Sequence, residues 1–317
     1  MIPFYRPPKL QAAHTKRLSI DVKTIIDSGM LSNDVNCRIL EERVKKMYGV
    51  EHVISCSSGT VGLWIAVQSL PRMPVTIPAY EWRSLSYVLD GRKVKYVDID
   101  SLQWHVPTHR TDLSRVNIVN HTFGSVPYTR TGLVLYDAAH SLGAEIKDFG
   151  DATVFSLSPS KPVTSCEGGL ILTNNNDLAG KMLSMRDAVS RLSEVNAVVG
   201  LAYLSQIQRT VKRKRLIVNY YREKLKNFTF QEIPISSSYS VCNVVCAPLP
   251  KDGLMLGLLK MGVETRAYHV PLCGGFPNTD FVFNNSFALP CYPDVDEREV
   301  VDRVLTVADG LRGSAWK

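Results

Sequence analysis

The chain has 317 residues, enough to bury a large core and to form one large and one small domain. A hydrophobic content of 45% with 21% charged residues is that of an ordinary globular protein, and no apolar run approaches the roughly 18 residues of a membrane span. The net charge of +7 gathers partly in Lys212, Arg213, Lys214 and Arg215 on a helical stretch, which favours a solvated helix face over a nucleic-acid patch, while a phosphate-bearing substrate would suit it equally.

At the N-terminus, MIPFYRPPKLQAAH places prolines where a signal peptide needs its apolar core, so secretion is not expected. From about Val53 to Thr173 short β-branched runs alternate with helix-like segments, the pattern of a mostly parallel sheet flanked by helices. HVISCSS reads as a strand and GTVGLWIAVQSL as the helix after it. VTIPA is a strand, EWRSLSYVLDG a helix and KVKYVDID an extended run. VNIVNHT, LVLYDAA, ATVFSLS and GLILTN supply further strands.

Only about ten residues separate VNIVNHT from LVLYDAA, fewer than the dozen or so of an ordinary parallel crossover, which predicts an irregular loop there. Helical spacing from Asn196 to Phe228 predicts one long helix leaving the sheet domain. Beyond it YSVCNVVCAPL reads as a strand, GLMLGLLKMG as a helix, VETRAYHVPL as a strand and DEREVVDRVLTVADGL as a closing amphipathic helix. The expected division is a large α/β domain over residues 1–227 and a small α+β domain over 228–317. Seven scattered cysteines point to reduced thiols and a cytosolic setting. Cys242-x-x-x-Cys246 lacks a second ligand pair, so no metal site is expected.

The chemistry-bearing stretch is FSLSPSKPVTSCEGG, Phe155 to Gly169. It sets Lys161 between Pro159 and Pro162 in a loop after a strand, and the prolines restrict the backbone that aims the amine. Upstream, LYDAAHSLGA puts Asp137 at the end of an apolar strand. A lysine that can link covalently to an aldehyde, plus a carboxylate that keeps a pyridine nitrogen protonated, is the minimum apparatus for holding pyridoxal 5′-phosphate (PLP). A lone lysine is ordinarily a surface charge and a strand-end Asp ordinarily a cap; each gains weight from the other.

In SSGTVGL, Ser58, Gly59 and Thr60 close a strand and open a helix, a place for a phosphate, although the same triplet is also a simple N-cap. Trp82, just past VTIPA, can stack on a heterocycle or fill core. His140 and His269 read as structural.

With these residues in view, the chain resembles the DegT/DnrJ family of PLP-dependent sugar aminotransferases, a fold-type I group. The likeness starts at IPFYRPP and runs through SGMLSNDVNCRILEERV, SSGTVGL, IPAYEW, YVDID and YDAAHSLGA, then FSLSPSKPVTSCEGGLILT, VGLAYLSQIQ, RAYHVPL and ALPCYPDV. It implies a fold-type I α/β transferase with a smaller C-terminal α+β domain. Lys161 matches the cofactor-linking lysine, Asp137 the pyridinium partner and Trp82 the stacking aromatic. Gly59, Thr60 and Ser156 match phosphate or ring-hydroxyl contacts.

The resemblance also implies a cytoplasmic homodimer with active sites at the subunit interface, serving amino-sugar and polysaccharide biosynthesis. It would move an amino group from glutamate to a keto group of a nucleotide-linked sugar by a ping-pong route, the cofactor passing through pyridoxamine 5′-phosphate. Neither a nucleic-acid nor a membrane partner is expected. Arg266 and His269 lie where family members often meet substrate. Three departures stand out. Val189 replaces an asparagine that reaches the partner's cofactor phosphate, the crossover before Leu133 is short, and Cys166 stands where glycine is common. The first two leave open a family member repurposed for ligand binding or regulation. A PLP-dependent sugar dehydratase, the other alternative, would carry histidine in place of Lys161.

Overall fold

The computed structural model describes the chain except residue 90, residues 128–130 and residues 315–317. Two helices, α1 (Ala12–Ser28) and α2 (Val35–Tyr48), precede β1 (His52–Cys56) and α3 (Gly59–Ser69). Next come β2 (Val75–Pro78), β3 (Tyr80–Glu81), α4 (Ser84–Val88), β4 (Val94–Val97), β5 (Val116–Asn120), β6 (Leu133–Asp137), β7 (Ala152–Ser156) and β8 (Gly169–Thr173). Three helices follow, α5 (Asn176–Val189), α6 (Glu194–Leu204) and α7 (Ile207–Lys224). The chain closes with β9 (Thr229–Phe230), β10 (Cys242–Val245), α8 (Lys251–Lys260), β11 (Val270–Pro271), α9 (Pro277–Asn285), β12 (Ser286–Leu289) and α10 (Glu297–Ser314).

The central sheet runs β1-β8-β7-β6-β5-β2-β4, with β8 antiparallel to both neighbours and every other pair parallel. This is the mostly parallel α/β sheet expected. Its strands β2, β5, β7 and β8 are buried at every position, as helices on both faces require. One core lies under α3 and α5 and includes Ile54, Ile65, Ile77, Ile118, Val154 and Met182. The larger core, on the other face, joins Phe155, Leu157 and Tyr221 to Val244, Leu254 and Phe287 from the C-terminal elements.

Those C-terminal elements form an antiparallel sheet, β12-β10-β9, packed by α8 and α10. A third, two-stranded sheet pairs β11 with β3, Val270 opposite Glu81 and Pro271 opposite Tyr80. It carries the RAYHVPL stretch to the edge of the central sheet.

Three expectations need correction. The helix expected over Asn196 to Phe228 is two helices, broken at Ser205 and Gln206, because α6 packs on α1 and α2 whereas α7 packs on α10. VETRAYHVPL is a strand only at Val270–Pro271, apart from two isolated bridges, Val263 to Ile2 and Arg266 to Ala288. Among its described residues EWRSLSYVLDG is helical only over Ser84–Val88, its start being drawn into β3. The short crossover is as expected: β5 and β6 pair in parallel, and between them the described residues hold one 3-10 turn, Thr122–Gly124, and no α-helix.

Candidate active site

Parallel strands deliver their carboxyl ends to one edge of the sheet, where a crevice forms. Here that edge gathers the ends of β1, β2, β5, β6 and β7, and a cavity of about 320 Å³ opens over it. All six residues singled out in the sequence line this cavity: Gly59, Thr60, Trp82, Asp137, Ser156 and Lys161.

One wall is the start of α3. Ser58 caps the helix, its side chain accepting from the Val61 N–H at 3.1 Å, so the amides of Gly59 and Thr60 face outward at a helix N-terminus. The preceding turn is braced by Ser190 Oγ, 3.0 Å from the Ser57 N and 2.7 Å from Ser57 Oγ. Close approach here requires glycine. A Cβ on Gly59 would lie 2.8 Å from Ser156 Cβ, and one on Gly169 would lie 2.5 Å from the Ser58 carbonyl. Gly169 pairs with both Cys56 and Ser156, which draws β1 and β7 together around β8.

Lys161 sits in a loop closed by the Lys161 N–H to Ser158 O bond at 3.1 Å and the Ser165 N–H to Leu157 O bond at 2.9 Å. Its amine lies 2.6 Å from His140 Nε2. Burial lowers the Lys161 pKa to about 8, against the opposing pull of Asp137 and Glu81. Burial and then Lys161 hold His140 well below the ordinary imidazole range, so the neutral ring accepts from Lys161 at Nε2 and donates from Nδ1 to Ser240 Oγ at 2.9 Å. Ser238 Oγ donates to the His140 carbonyl at 2.6 Å, and Lys214 Nζ donates to the Ser240 carbonyl at 2.7 Å. The segment before β10 thus fixes the histidine that touches the lysine.

Asp137 ends β6 beside Asn120 of β5, its register partner. Its Oδ1 accepts from the Ala139 N–H at 3.1 Å. Burial raises its pKa, while the Ala139 amide and Lys161 pull it down. A bound cation facing it would favour the carboxylate further. Trp82 is half exposed at the cavity mouth, edge-on to His269 with ring centroids 6.5 Å apart.

Sequence reasoning passed over several residues of this wall. His140, set aside as structural, lines the cavity, as do Glu81 and Asn120; so do Arg266 and His269, which the family resemblance put near substrate although His269 by itself read as structural. His140 carried a signal, three positions after Asp137 on the turn leaving β6. Glu81 carried none, because only the pairing of β3 with β11 brings it beside His269. Val189 ends α5 in an exposed position. Cys166 adopts a φ of 67°, the left-handed region that favours glycine, which accounts for glycine at that place in the family pattern.

The fold is shared with a crystal structure described as DesI in the presence of its TDP-sugar product. The two superpose with a TM-score of 0.86 at 22% identity, over 98% of this chain and 94% of that one. The chain belongs to the DegT/DnrJ/EryC1/StrS aminotransferase family, whose model matches residues 13–112 and 129–308. Among curated proteins it is similar to the UDP-4-amino-4,6-dideoxy-N-acetyl-beta-L-altrosamine transaminase of Campylobacter jejuni subsp. jejuni serotype O:23/36 (strain 81-176). Identity there is 23% over 336 aligned positions, 86% of this chain and 89% of that protein. It is also similar to the dTDP-4-amino-4,6-dideoxy-D-glucose transaminase of Shigella dysenteriae, at 27% over 280 positions, 75% of this chain and 76% of that protein.

Proposed function

We propose that the protein is a PLP-dependent aminotransferase that takes an amino group from an amino acid, with glutamate the expected donor, and delivers it to a keto group of a nucleotide-linked sugar in two half-reactions. The observation that carries this is the Lys161 amine, held in the cavity with its pKa lowered to about 8 and facing His140 in the company of Asp137. The cavity fits the cofactor. Gly59 and Thr60 offer amides to a phosphate, Ser156 a hydroxyl, Trp82 a face and Asp137 a carboxylate for a ring N–H⁺. Buried Glu81 Oε2, Asn120 Oδ1 and His269 Nδ1 have no hydrogen-bond partner, so the wall calls for a polar occupant.

PLP, when bound, supplies an aldehyde for covalent attachment and a ring that withdraws electrons from the substrate carbon. The protein's part is to present and move protons. Near pH 8 about half of the Lys161 side chain is the neutral amine, ready to attack or to accept a proton at Nζ. His140 Nε2 receives an Nζ hydrogen and holds the amine over the cavity. Asp137, fixed by the Ala139 amide, keeps its charge where a cationic ring nitrogen would be held.

The proposal includes a cytoplasmic homodimer and a division of the chain at residue 227. No helix among the described residues is long and apolar enough to cross a membrane. Exposed Ile20, Ile26, Met30, Leu31, Val35 and Ile39, on and between α1 and α2, suit contact with a second copy. The retained Lys161 weighs against the dehydratase alternative. The test is a visible spectrum of purified protein incubated with PLP, its response to glutamate, and the same for Lys161→Ala. The wild type should show a visible absorption band that glutamate bleaches, and the variant should lose turnover. A Lys161→Ala protein with full rate and an unchanged band would refute the assignment, and a wild type that cannot be charged with PLP would favour a repurposed binding protein.

A further inference from the structure

Glu81 is an acid where the sheet edge gives no reason for one. It is 3% exposed, yet it lines the cavity. One oxygen, Oε1, accepts from its neighbour's amide, Trp82 N–H, at 2.7 Å. The other, Oε2, is buried and has no hydrogen-bond partner of ordinary geometry, the Asn120 side chain lying near the carboxyl. A buried carboxyl oxygen without a partner costs stability, about 1–3 kcal/mol for a neutral group and more for a charged one, so it persists where something bound to the protein satisfies it.

His269 does not satisfy it. Its Nδ1 stands 3.6 Å from Oε1, beyond a hydrogen bond, and burial lowers its pKa to about 3, so the ring is neutral. Burial, and then the proximity of Asp137, hold the Glu81 carboxyl well above its usual range. A protonated carboxyl both donates and accepts, as one hydroxyl of a sugar does. An amino-acid donor such as glutamate presents carboxylates, which only accept: they could take the hydrogen of the Glu81 carboxyl but could not donate to its other lone pairs, whereas one sugar hydroxyl does both. The ring nitrogen of the cofactor already has Asp137.

We propose that Glu81 is a specificity-determining residue whose Oε2 hydrogen-bonds a hydroxyl of the acceptor sugar, with His269 Nδ1 and Asn120 Oδ1, also unpartnered on the same wall, completing a polar subsite. This role presupposes the aminotransferase function proposed above. It goes further in dividing the two substrates: the sugar meets Glu81 and the amino acid does not.

The experiment measures the two half-reactions separately by stopped-flow absorbance on holoenzyme, with glutamate for the first and a panel of UDP- and dTDP-linked 4-keto-6-deoxyhexoses for the second. Wild type, Glu81→Gln and Glu81→Leu are compared, and PLP affinity of each is titrated independently. The leucine variant should lose about 10- to 100-fold in kcat/KM for the sugar relative to its own kcat/KM for glutamate, the range expected for a lost buried hydrogen bond. Glutamine, which keeps an acceptor and a donor, should restore most of that ratio. Equal losses in both half-reactions, together with weakened PLP binding, would mean that Glu81 serves the cofactor and would overturn the proposal. An unchanged ratio in the leucine variant overturns it too. A wild type that reacts with glutamate but with none of the sugars refutes the proposed acceptor and this subsite with it. A wild type inert to PLP refutes the function itself.

Discussion

The pH dependence of stability conferred by Lys161 can be worked through from the structure. Its pKa falls from 10.5 to about 8 on folding, mainly through burial. Below pH 8 both states hold the proton, and the cost of the buried ammonium is borne in full. Between pH 8 and 10.5 the native lysine has released its proton while the unfolded lysine has not. The unfolded state then binds more protons, so stability rises with pH across that window. The full shift corresponds to about 3 kcal/mol, and solvent entering the cavity reduces the expected gain by pH 10 to about 2 kcal/mol. The assay is urea unfolding of PLP-free wild type and Lys161→Met from pH 7 to pH 10, read as the difference between the two. Subtraction removes the buried tyrosines Tyr48, Tyr80 and Tyr221, whose raised pKa values act in the opposite direction and are common to both proteins. The methionine variant should begin more stable, and its lead should shrink by about 2 kcal/mol as the pH climbs. A difference that stays flat within about 0.5 kcal/mol would show that the amine is not desolvated, and the account of its reactivity would go with it.

Other consequences are open to measurement. Gly59→Ala should destabilise the protein by about 1–3 kcal/mol and weaken PLP binding by about tenfold or more, since the new Cβ would meet Ser156 Cβ at 2.8 Å; denaturation and a PLP titration read both effects. Glu194→Ala should cost about 3 kcal/mol in urea unfolding, because that carboxylate accepts from the N–H groups of Asp34, Asn36 and Cys37 at the start of α2. Burial raises the Glu194 pKa, but the Cys37 thiol and these amides outweigh it and leave the carboxyl below its usual range. Its contribution is therefore complete above the unfolded carboxyl pKa and fades as pH falls through the lower native one. Arg213→Ala should cost about 1 kcal/mol by undoing the forked pair with Glu297, at 2.9 and 2.7 Å, that ties α7 to α10. A double-mutant cycle with Glu297→Gln should show the coupling vanish in acid.

Much of the architecture could be read locally. The short β-branched strands, the Ser58 cap before α3 and the proline-flanked Lys161 are encoded within a few residues each, and the structure places them as the spacing implies. The short crossover before Leu133 was legible by counting residues. Where local patterning misled, a partner distant in sequence decided the outcome. Helical spacing continues smoothly across Ser205 and Gln206, and only the separate docking of α6 and α7 breaks it. RAYHVPL has the composition of a strand, but beyond the isolated bridge of Arg266 to Ala288 it forms a ladder only at Val270 and Pro271, opposite β3.

The sequence by itself determined which groups are chemically competent: one restrained lysine, one strand-end carboxylate, a glycine-opened helix and an aromatic. Those follow from residue type and near neighbours, which the backbone cannot alter. Only the tertiary structure decided how they behave. The depressed Lys161, the neutral His140 and the unsatisfied Glu81 arise from burial and from contacts between residues far apart along the chain. Desolvation is a property of the surrounding volume, and no short stretch of sequence contains it.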